Sequence, residues 1–317
     1  ILLTFAGLLL GATLREVSKK TKIPYTPILL AVGLIIGVYV DRLGILGEAT
    51  KLALSIEPHG ILMIFIPTLI FESAFNADWY IFKKVIINIL LLAGPGVLFG
   101  TFLLAFVLKV FLGYDSDDLG WAAALTLGSI VSTTDPVAVV AMLKDLGAHA
   151  KFNLLIEGES LLNDGVAMVF FTLFLNIAKD QKSGVGEVVI NFIQLVGGGP
   201  ILGFLAGIIC SLWLKRITRD NILSITITFI ACYLLFFLAE TQFHVSGILA
   251  LVTLGLFMSA YGKTKIDIDA KEALHAVWSW VQYTCETLVF LLTGLLIGYE
   301  IYFKHNTIEP MDYVKMI

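Results

Sequence analysis

Five carboxylates and a group of hydroxyl side chains lie within one stretch of an otherwise apolar chain. The stretch runs from Ser129 to Gly165 and reads SIVSTTDPVAVVAMLKDLGAHAKFNLLIEGESLLNDG. Three of its acids, Asp135, Glu159 and Asp164, fall within long apolar runs. Ionisable groups are costly inside a bilayer, so they usually face a cavity and mark the path of an ion or a proton. These three acids are therefore the first candidates for chemistry.

Asp164 is the leading candidate for an ion-binding carboxylate. It follows Asn153, where its apolar segment begins, by about 16 Å at the α-helical rise, which places it near the middle of a bilayer. Asp164 shares one helix face with Ser160, and Asn163 shares another with Glu159, because each pair is spaced i, i+4. A carboxylate in a partly hydrated cavity can hold either a proton or a small cation. Oxygen ligands suit a hard ion, so the residues predict Na⁺ at Asp164.

Competition between two ions for one carboxylate has a functional consequence. If the site turns from one side of the membrane to the other only when it is occupied, each cation that leaves must be replaced by a proton, or the reverse. The residues therefore predict antiport of a monovalent cation against H⁺.

The motif STTDP predicts a break in the apolar segment that contains it. Pro136 has no N–H and clashes with the preceding turn, and Asp135 suits the N-cap of a new half-helix. Thr133, Thr134 and Asp135 can satisfy the backbone groups that the break frees. Broken helices of this kind hold ions near the bilayer midplane in transporters. A capped proline kink without a role in transport is the alternative.

Glu159, Glu72 and Glu286 are predicted to be structural charges. Each lies in an apolar run, and a buried carboxylate needs either a partner or a proton. Few basic residues lie at matching depth, which indicates that an Arg or Lys elsewhere in the protein supplies a partner. A direct role in the ion path is the alternative for Glu72 and Glu286.

The composition places the elements around these residues in a membrane. Of the 317 residues, 58% are hydrophobic and 15% are charged, against about 25% charged residues in a soluble domain. Ten apolar segments alternate with short loops, and most reach the length that a membrane-spanning helix needs. The segments are 1–14, 24–40, 58–75, 85–112, 119–143, 153–178, 187–214, 221–239, 245–261 and 277–299. The sequence therefore predicts an all-α polytopic membrane protein in contact with lipid.

The loops predict an orientation and exclude several classes of partner. Loops 15–23 and 215–220 are basic, loop 113–118 is acidic, and basic and non-basic loops alternate along the chain. By the positive-inside rule the basic loops are cytoplasmic and the N-terminus is extracellular, and we expect the plasma membrane. The basic residues are too scattered for a nucleic-acid-binding surface. We expect no cofactor and no enzymatic activity.

At this point the sequence resembles a known family, the sodium/proton exchangers of the eukaryotic monovalent cation/proton antiporter type. TDPVAVVAMLKDLGA and LLIEGESLLNDGVAMVFF look like the signature of that family. FIPTLIFESAFNADW, FHVSGILALVTLGLFMSAY and CETLVFLLTGLLIG extend the resemblance over nearly the whole chain. The amino-acid sequence of these motifs is most similar to the branch that holds the sperm-specific and the plant salt-tolerance exchangers.

The resemblance implies a homodimer with an inverted-repeat antiporter fold of thirteen helices, of which about ten spans are present. Residues 1–180 would form the first inverted repeat, with dimerisation helices in 1–112 and core helices, including the broken, crossing helix, in 119–178. Residues 187–214 would form a linking helix. Residues 221–317 would form the first half of the second repeat.

The resemblance also implies roles for residues. Asp164 would carry the transported ion with Asn163 beside it, Asp135 and Thr133 would lie where the broken helix crosses, and Glu159 would pair with an Arg on a later core helix. That Arg and a second broken helix are not in this sequence, so we expect that these residues alone do not transport. A cytoplasmic regulatory region is expected outside them.

The implied activity is electroneutral exchange of Na⁺ or Li⁺ for H⁺ by alternating access. A K⁺/H⁺ antiporter remains an alternative. A cation channel is another, although no filter-like loop or charged ring is present. An intramembrane aspartyl protease would need two aspartates that share a proton, and it fits the Asn neighbour of Asp164 least well.

Overall fold

The structure is a computed structural model, and its described part is built from helices. It describes the chain except for residues 1, 22–23, 43, 55–57, 112–119, 135–138, 141–142, 144–146, 180–184, 218–219, 267 and 304–317. The helices are α1 (Leu2–Thr21), α2 (Tyr25–Val38), α3 (Ile45–Leu54), α4 (Pro58–Asn76), α5 (Trp79–Leu91), α6 (Val97–Phe106), α7 (Trp121–Val131), α8 (Ala150–Ala178), α9 (Val185–Leu214), α10 (Asn221–Thr241), α11 (Gly247–Ala260) and α12 (Ile268–Phe303).

The prediction of an all-α membrane protein is confirmed. Each of the ten predicted apolar segments contains a helix in the described part of the chain. Five helical stretches are long and apolar enough to cross a membrane: Trp79–Phe111, Ala150–Ala178, Phe192–Leu214, Asn221–Thr241 and Ala270–Ile301. Four shorter apolar helices accompany them among the described residues. The count of ten spans stays a prediction.

Short polar residues fix where several helices begin. The side chain of Asp78 accepts hydrogen bonds from the backbone N–H groups of Tyr80 and Ile81 at the start of α5. Asp220 and Ser246 cap α10 and α11 in the same way. These caps satisfy N–H groups that have no partner within the helix, so each helix begins at a defined residue.

The Gly-Pro-Gly segment between α5 and α6 does not end the helix. Residues Leu92–Gly96 form a turn of π-helix that contains Pro95, and α6 continues directly from Val97. A π-turn absorbs the missing proline N–H by widening the helix locally. Pro67 and Pro200 lie inside α4 and α9, which continue through them.

Residues 1–69 and 278–317 form one compact unit. Within it α2 and α12 approach at their backbones through two pairs of glycines, Gly33 with Gly294 and Gly37 with Gly298. Ideal Cβ atoms on Gly33 and Gly37 would lie 3.1 Å from the Cα atoms of these partners. Two small residues four apart on each helix permit this close packing, as in other membrane helix pairs.

Residues 70–277 form the second compact unit, which contains the predicted ion-binding residues. Here α9 packs along α11 at Gly199 and Gly203, and a Cβ on Gly199 would lie 2.6 Å from the Ser246 carbonyl oxygen. Glycine at position 199 therefore permits the close approach of these two helices. A buried apolar cluster of Phe82 and Ile89 packs α5 onto α8.

The division into inverted repeats stays a prediction. Compact units are groups of residues in mutual contact, whereas repeats are related by symmetry, so the boundaries of the two units do not bear on the predicted segments 1–180, 187–214 and 221–317.

Candidate functional site

The helix that carries STTDP ends just before its aspartate. Helix α7 stops at Val131, and Thr133 and Thr134 are not helical. The hydroxyls of Ser132 and Thr133 donate hydrogen bonds back to the carbonyl oxygens of Ser129 and Ile130, at 3.1 and 3.0 Å. These bonds satisfy carbonyl groups at the end of the helix. The predicted interruption therefore begins where the motif placed it.

Close packing of α6 and α7 holds this helix end in place. A Cβ on Gly128 would lie 2.5 Å from the carbonyl oxygen of Thr101, so only glycine allows the two helices to approach this closely. One turn later the hydroxyls of Thr101 and Ser132 are 3.3 Å apart and share a hydrogen bond. The end of α7 thus has a fixed position relative to α6.

Helix α8 is joined to the non-helical residues after α7 by one hydrogen bond. The Ser160 hydroxyl donates to the carbonyl oxygen of Thr134 at 3.1 Å, and Ser160 is buried. Because the hydroxyl hydrogen is donated to Thr134, the oxygen lone pairs remain available to accept a hydrogen bond or to bind a cation. Ser160 therefore connects the two elements predicted to form the ion site.

Glycines also place α8 between two neighbours. A Cβ on Gly158 would lie 2.6 Å from Ile89 of α5, and one on Gly165 would lie 2.8 Å from Leu249 of α11. The residues between these glycines include Ser160, Asn163 and Asp164, so the polar turn of α8 lies between two tightly packed contacts. Packing of this kind limits how far those side chains can shift.

Asn163 has no exposure to solvent, yet its amide is only half satisfied. Its Nδ2 donates to Glu159 Oε1 at 3.2 Å, which shows that the two residues share a helix face. Its Oδ1 has no hydrogen-bond partner among the described residues. A buried acceptor without a donor is costly, typically by about 1–3 kcal/mol. A cation, a water molecule or a proton donor would remove that cost.

Asp164 follows Asn163 on α8 and is half-buried. It takes part in an interaction within the described part of the chain. With Ser160 and Asn163 it brings carboxylate, hydroxyl and amide oxygens to one turn of α8. Such a set of oxygen donors suits Na⁺ and other hard cations.

The predicted residues Asp135 and Pro136 lie outside the described residues, so their place relative to Asp164 stays a prediction. The same holds for the second half of the broken helix and for its crossing. Within the described residues, the structure brings together Thr134 and Ser160, and it places Thr133 on the same non-helical segment.

Glu72 is buried near the end of α4 and has partners within this chain. Asn76 Nδ2 donates to Glu72 Oε1 at 2.6 Å. Lys263, in the turn after α11, lies over the Phe75 ring with its Nζ 4.6 Å from the ring centre. Burial lowers the pKa of the Lys263 ammonium, while the nearby carboxylates of Asp78 and Glu72 act in the opposite direction. Glu72 therefore has a basic neighbour that the sequence did not reveal, because Lys263 is distant along the chain.

Glu286 belongs to the other compact unit, in α12. It is half-buried and lines a cavity with Arg15 and Tyr25. The three acids predicted to be structural thus have different surroundings: Glu159 bonds Asn163, Glu72 bonds Asn76, and Glu286 faces a cavity. That they act as structural charges stays a prediction.

The fold and the site together define a helical membrane protein with a polar, oxygen-rich turn beside an interrupted helix. Comparison with known proteins gives the family. The model of the sodium/hydrogen exchanger transmembrane region matches residues 5–311, and the chain belongs to that family.

Relatives in plants and bacteria support this assignment. Sodium/hydrogen exchanger 8 of Arabidopsis thaliana is 38% identical over 315 residues, which cover 96% of this chain and 41% of the relative. Sodium/hydrogen exchanger 7 of the same plant is 37% identical, over 94% of this chain and 26% of the relative. The Na⁺/H⁺ antiporter ApNhaP of Aphanothece halophytica is 33% identical, over 89% and 52%. The chain thus spans from about a quarter to about half of the length of these relatives.

A solved structure supports the fold. The sodium proton antiporter MjNhaP1 from Methanocaldococcus jannaschii aligns with a TM-score of 0.76 over 92% of this chain and 69% of that chain, at 20% identity. The predicted antiporter fold is confirmed, and the resemblance to a eukaryotic-type exchanger is confirmed by the two plant relatives.

Proposed function

We propose that this protein is a secondary active antiporter that exchanges Na⁺, or Li⁺, for H⁺ across a membrane by alternating access. The observation that carries the proposal is the polar turn of α8. It presents the buried, half-satisfied amide of Asn163 beside the Asp164 carboxylate, and Ser160 ties it to the non-helical end of α7. Relatives named Na⁺/H⁺ antiporters favour Na⁺ over K⁺ as the transported cation and favour an antiporter over a channel or a protease.

The proposed site uses one carboxylate for both ions. Na⁺ would bind the Asp164 carboxylate, the Asn163 Oδ1 and the Ser160 hydroxyl, and the segment with Thr133, Thr134 and Asp135 would add ligands from the broken helix. When a proton binds Asp164 instead, it neutralises the carboxylate that attracts the cation. The two ions therefore exclude one another at this site.

This arrangement explains why the exchange would be electroneutral. In this proposal Asp164 is the carboxylate that exchanges Na⁺ for H⁺, while Asp135 acts as the cap of the half-helix, so the occupied protein carries the same charge whether it holds one Na⁺ or one H⁺. Asn163 cannot ionise, so it supplies a ligand oxygen without a second titrating group. Each cycle then moves one positive charge in each direction.

Glu159 has a positioning role in this account, because its carboxylate accepts the Asn163 Nδ2–H bond and so turns the Oδ1 of that amide away from itself. We propose that Glu159 is balanced by a basic residue outside this sequence, and that Glu72 and Glu286 are structural charges. None of these acids binds the transported ion directly in the proposed mechanism.

The same proposal includes the membrane, the oligomeric state and the orientation of the protein. The chain is an integral membrane protein, and we propose that it lies in the plasma membrane as a homodimer with its N-terminus outside. A cytoplasmic regulatory region outside these residues would adjust its activity. The relatives are longer than this chain, which leaves room for such a region in them.

Exchange in proteoliposomes tests the proposal. The full-length protein that contains these residues is purified and reconstituted with a pH-sensitive dye inside the vesicles, and NaCl, LiCl, KCl or choline chloride is added outside. The account predicts alkalinisation inside with NaCl or LiCl and no change in membrane potential. An ionic current without a pH gradient would identify a channel, and exchange that responds equally to KCl would identify a K⁺/H⁺ antiporter.

A further inference from the structure

A cavity in the first compact unit combines two basic side chains with one acid. It has a volume of about 350 Å³ and lies between α1, α2 and α12. Its wall includes Arg15 and Lys19 from α1, Tyr25 from α2, and Gln282, Tyr283 and Glu286 from α12. It contains none of the residues of the proposed ion site, so it calls for a separate explanation.

The Arg15 guanidinium of this cavity is held beside an aromatic ring, and no salt bridge neutralises either basic group among the described residues. The Arg15 guanidinium lies 4.7 Å from the centre of the Tyr283 ring, which itself stacks on Tyr25 with the ring centres 6.0 Å apart. Tyr25 is fixed in turn by a 2.8 Å hydrogen bond to Thr287. Within the described part of the chain neither Arg15 nor Lys19 forms a salt bridge. One oriented guanidinium and one exposed ammonium group are thus available to an anion.

The cavity lies where a lipid headgroup would be found. Lys19 is in the last turn of α1, an apolar helix whose basic end the positive-inside rule assigns to the cytoplasmic surface. Trp280, one turn along α12 from the cavity residues, is 65% exposed, and tyrosine and tryptophan side chains are enriched at the membrane surface. Basic pockets between membrane helices on this side bind phospholipid headgroups.

We propose that this cavity binds the headgroup of an aminophospholipid, with its phosphate on Arg15 and Lys19 and its ammonium group on Glu286. The charges match, because the headgroup carries one negative and one positive group at a fixed separation. Gln282 can donate a further hydrogen bond to a phosphate oxygen. A headgroup without an amine would bring a phosphate near the Glu286 carboxylate without a cation to offset the repulsion, which disfavours purely anionic lipids here.

Native mass spectrometry and thermal unfolding of the purified protein in detergent test this proposal without any transport measurement. Phosphatidylethanolamine, phosphatidylcholine and phosphatidylglycerol are added in turn, and soluble phosphoethanolamine and inorganic phosphate are added separately. We expect bound phosphatidylethanolamine and a raised unfolding temperature. In the double variant Arg15→Gln, Lys19→Gln we expect about 25-fold weaker binding, because each basic residue contributes about 1 kcal/mol to lipid attraction.

Control variants separate this site from general surface charge. Lys20→Gln removes a basic residue from the same turn of α1 that is not part of the cavity wall, so phosphatidylethanolamine binding should stay unchanged. Glu286→Gln should reduce the preference for phosphatidylethanolamine over phosphatidylglycerol. If the double variant does not fold, Lys19→Gln alone, at an exposed position, should still weaken binding about fivefold.

Several results would overturn the proposal. Equal binding of phosphatidylethanolamine by the wild type and the double variant would show that Arg15 and Lys19 do not form the site. Equal binding of phosphatidylglycerol and phosphatidylethanolamine would show that no ammonium group contacts Glu286. Stabilisation by inorganic phosphate as strong as that by the lipid would identify a site for a free anion. Because none of these readouts depends on ion exchange, they leave the proposed transport function untouched.

Discussion

At the scale of single residues, one buried amide distinguishes this site from an ordinary polar turn of a membrane helix. Asn163 is fully buried, and Glu159 turns its Nδ2 so that Oδ1 faces away without a partner among the described residues. Next to it Asp164 supplies the charge that Asn163 lacks. The pair thus offers a cation two kinds of oxygen while only one of them can bind a proton.

Ser160→Ala should weaken Na⁺ binding. The hydroxyl donates to the Thr134 carbonyl at 3.1 Å, so its loss should loosen the segment after α7 and remove one of the proposed cation ligands. We expect the Na⁺ concentration for half-maximal exchange to rise about tenfold, corresponding to about 1.4 kcal/mol. Ser211→Ala is the control, because the Ser211 hydroxyl bonds only within α9, to Ile208. Equal effects of the two substitutions would contradict the proposed role of Ser160.

The lowered pKa of Lys263 predicts that the stability of the folded protein depends on pH. Burial lowers its pKa in the folded protein, so the unfolded chain holds this proton more tightly. The free energy of unfolding should therefore rise with pH between the lowered pKa and the unfolded value of about 10.4. Lys263→Met should flatten that rise in the unfolding temperature measured in detergent. Lys265→Met, at an exposed neighbour in the same turn, should leave it in place, and a rise that survives Lys263→Met would contradict the assignment.

At the scale of helices, glycines set the spacing on which the proposed ion site depends. A Cβ on Gly203 would collide with the carbonyl oxygen of Ala250, so α9 and α11 touch at their backbones. Helix α11 in turn packs against α8 at Gly165, one residue after Asp164. A change in the spacing of α9 and α11 should therefore reach the ion-binding helix.

Gly203→Ala and Gly197→Ala form a matched pair on one helix. The first should force α9 from α11 and lower the unfolding temperature of the purified protein, because backbone cannot give way as a flexible side chain can. The second faces open space, and alanine favours a helix over glycine by about 1 kcal/mol, so stability should be unchanged or slightly higher. If Gly203→Ala proved as stable as Gly197→Ala, the close contact of the two helices would be in doubt.

The sequence predicted which stretches are helices better than it predicted their contacts. Long apolar runs identify helices such as α8 and α10, because only helices satisfy their backbone groups within a membrane. Helix α3 was missed, since its ten residues mix apolar and charged side chains in a segment read as a loop. The STTDP motif correctly predicted the end of α7, because a proline at position 136 disfavours a helical carbonyl group four residues earlier, at Ser132. The π-turn at Pro95 could not be foreseen, because sequence does not show how a helix absorbs a proline.

Within the site, local spacing was informative and distant contacts were not. The pairing of Asn163 with Glu159 follows from the i, i+4 rule. The bond from Ser160 to Thr134 and the approach of Lys263 to Glu72 depend on how separate helices pack, which no local pattern reveals. The available signal for Lys263 was its position, because this lysine lies in the short turn directly after the apolar helix α11.

At the scale of the whole molecule, the account requires a defined orientation across the membrane. The native cysteines Cys210, Cys232 and Cys285 are buried, so they should react little with aqueous thiol reagents. A cysteine introduced by Lys265→Cys should then react only with reagent on the cytoplasmic side, and one introduced by Ser116→Cys, in the acidic loop 113–118, only with reagent outside. Labelling with an impermeant maleimide on intact cells checks this. The opposite pattern would reverse the proposed orientation.

The central claim is that Na⁺ and H⁺ compete for the carboxylate of Asp164, and proton release on Na⁺ binding tests it most directly. NaCl is added to the purified protein in a weakly buffered detergent solution, and the pH change and bound Na⁺ are measured together, with choline chloride as control. The account predicts that Na⁺ displaces up to one proton per bound ion, increasingly so at acidic pH, and that Asp164→Asn, which keeps the side-chain shape, neither binds Na⁺ nor releases protons. Na⁺ binding without proton release in the wild type, or unchanged release in Asp164→Asn, would contradict it.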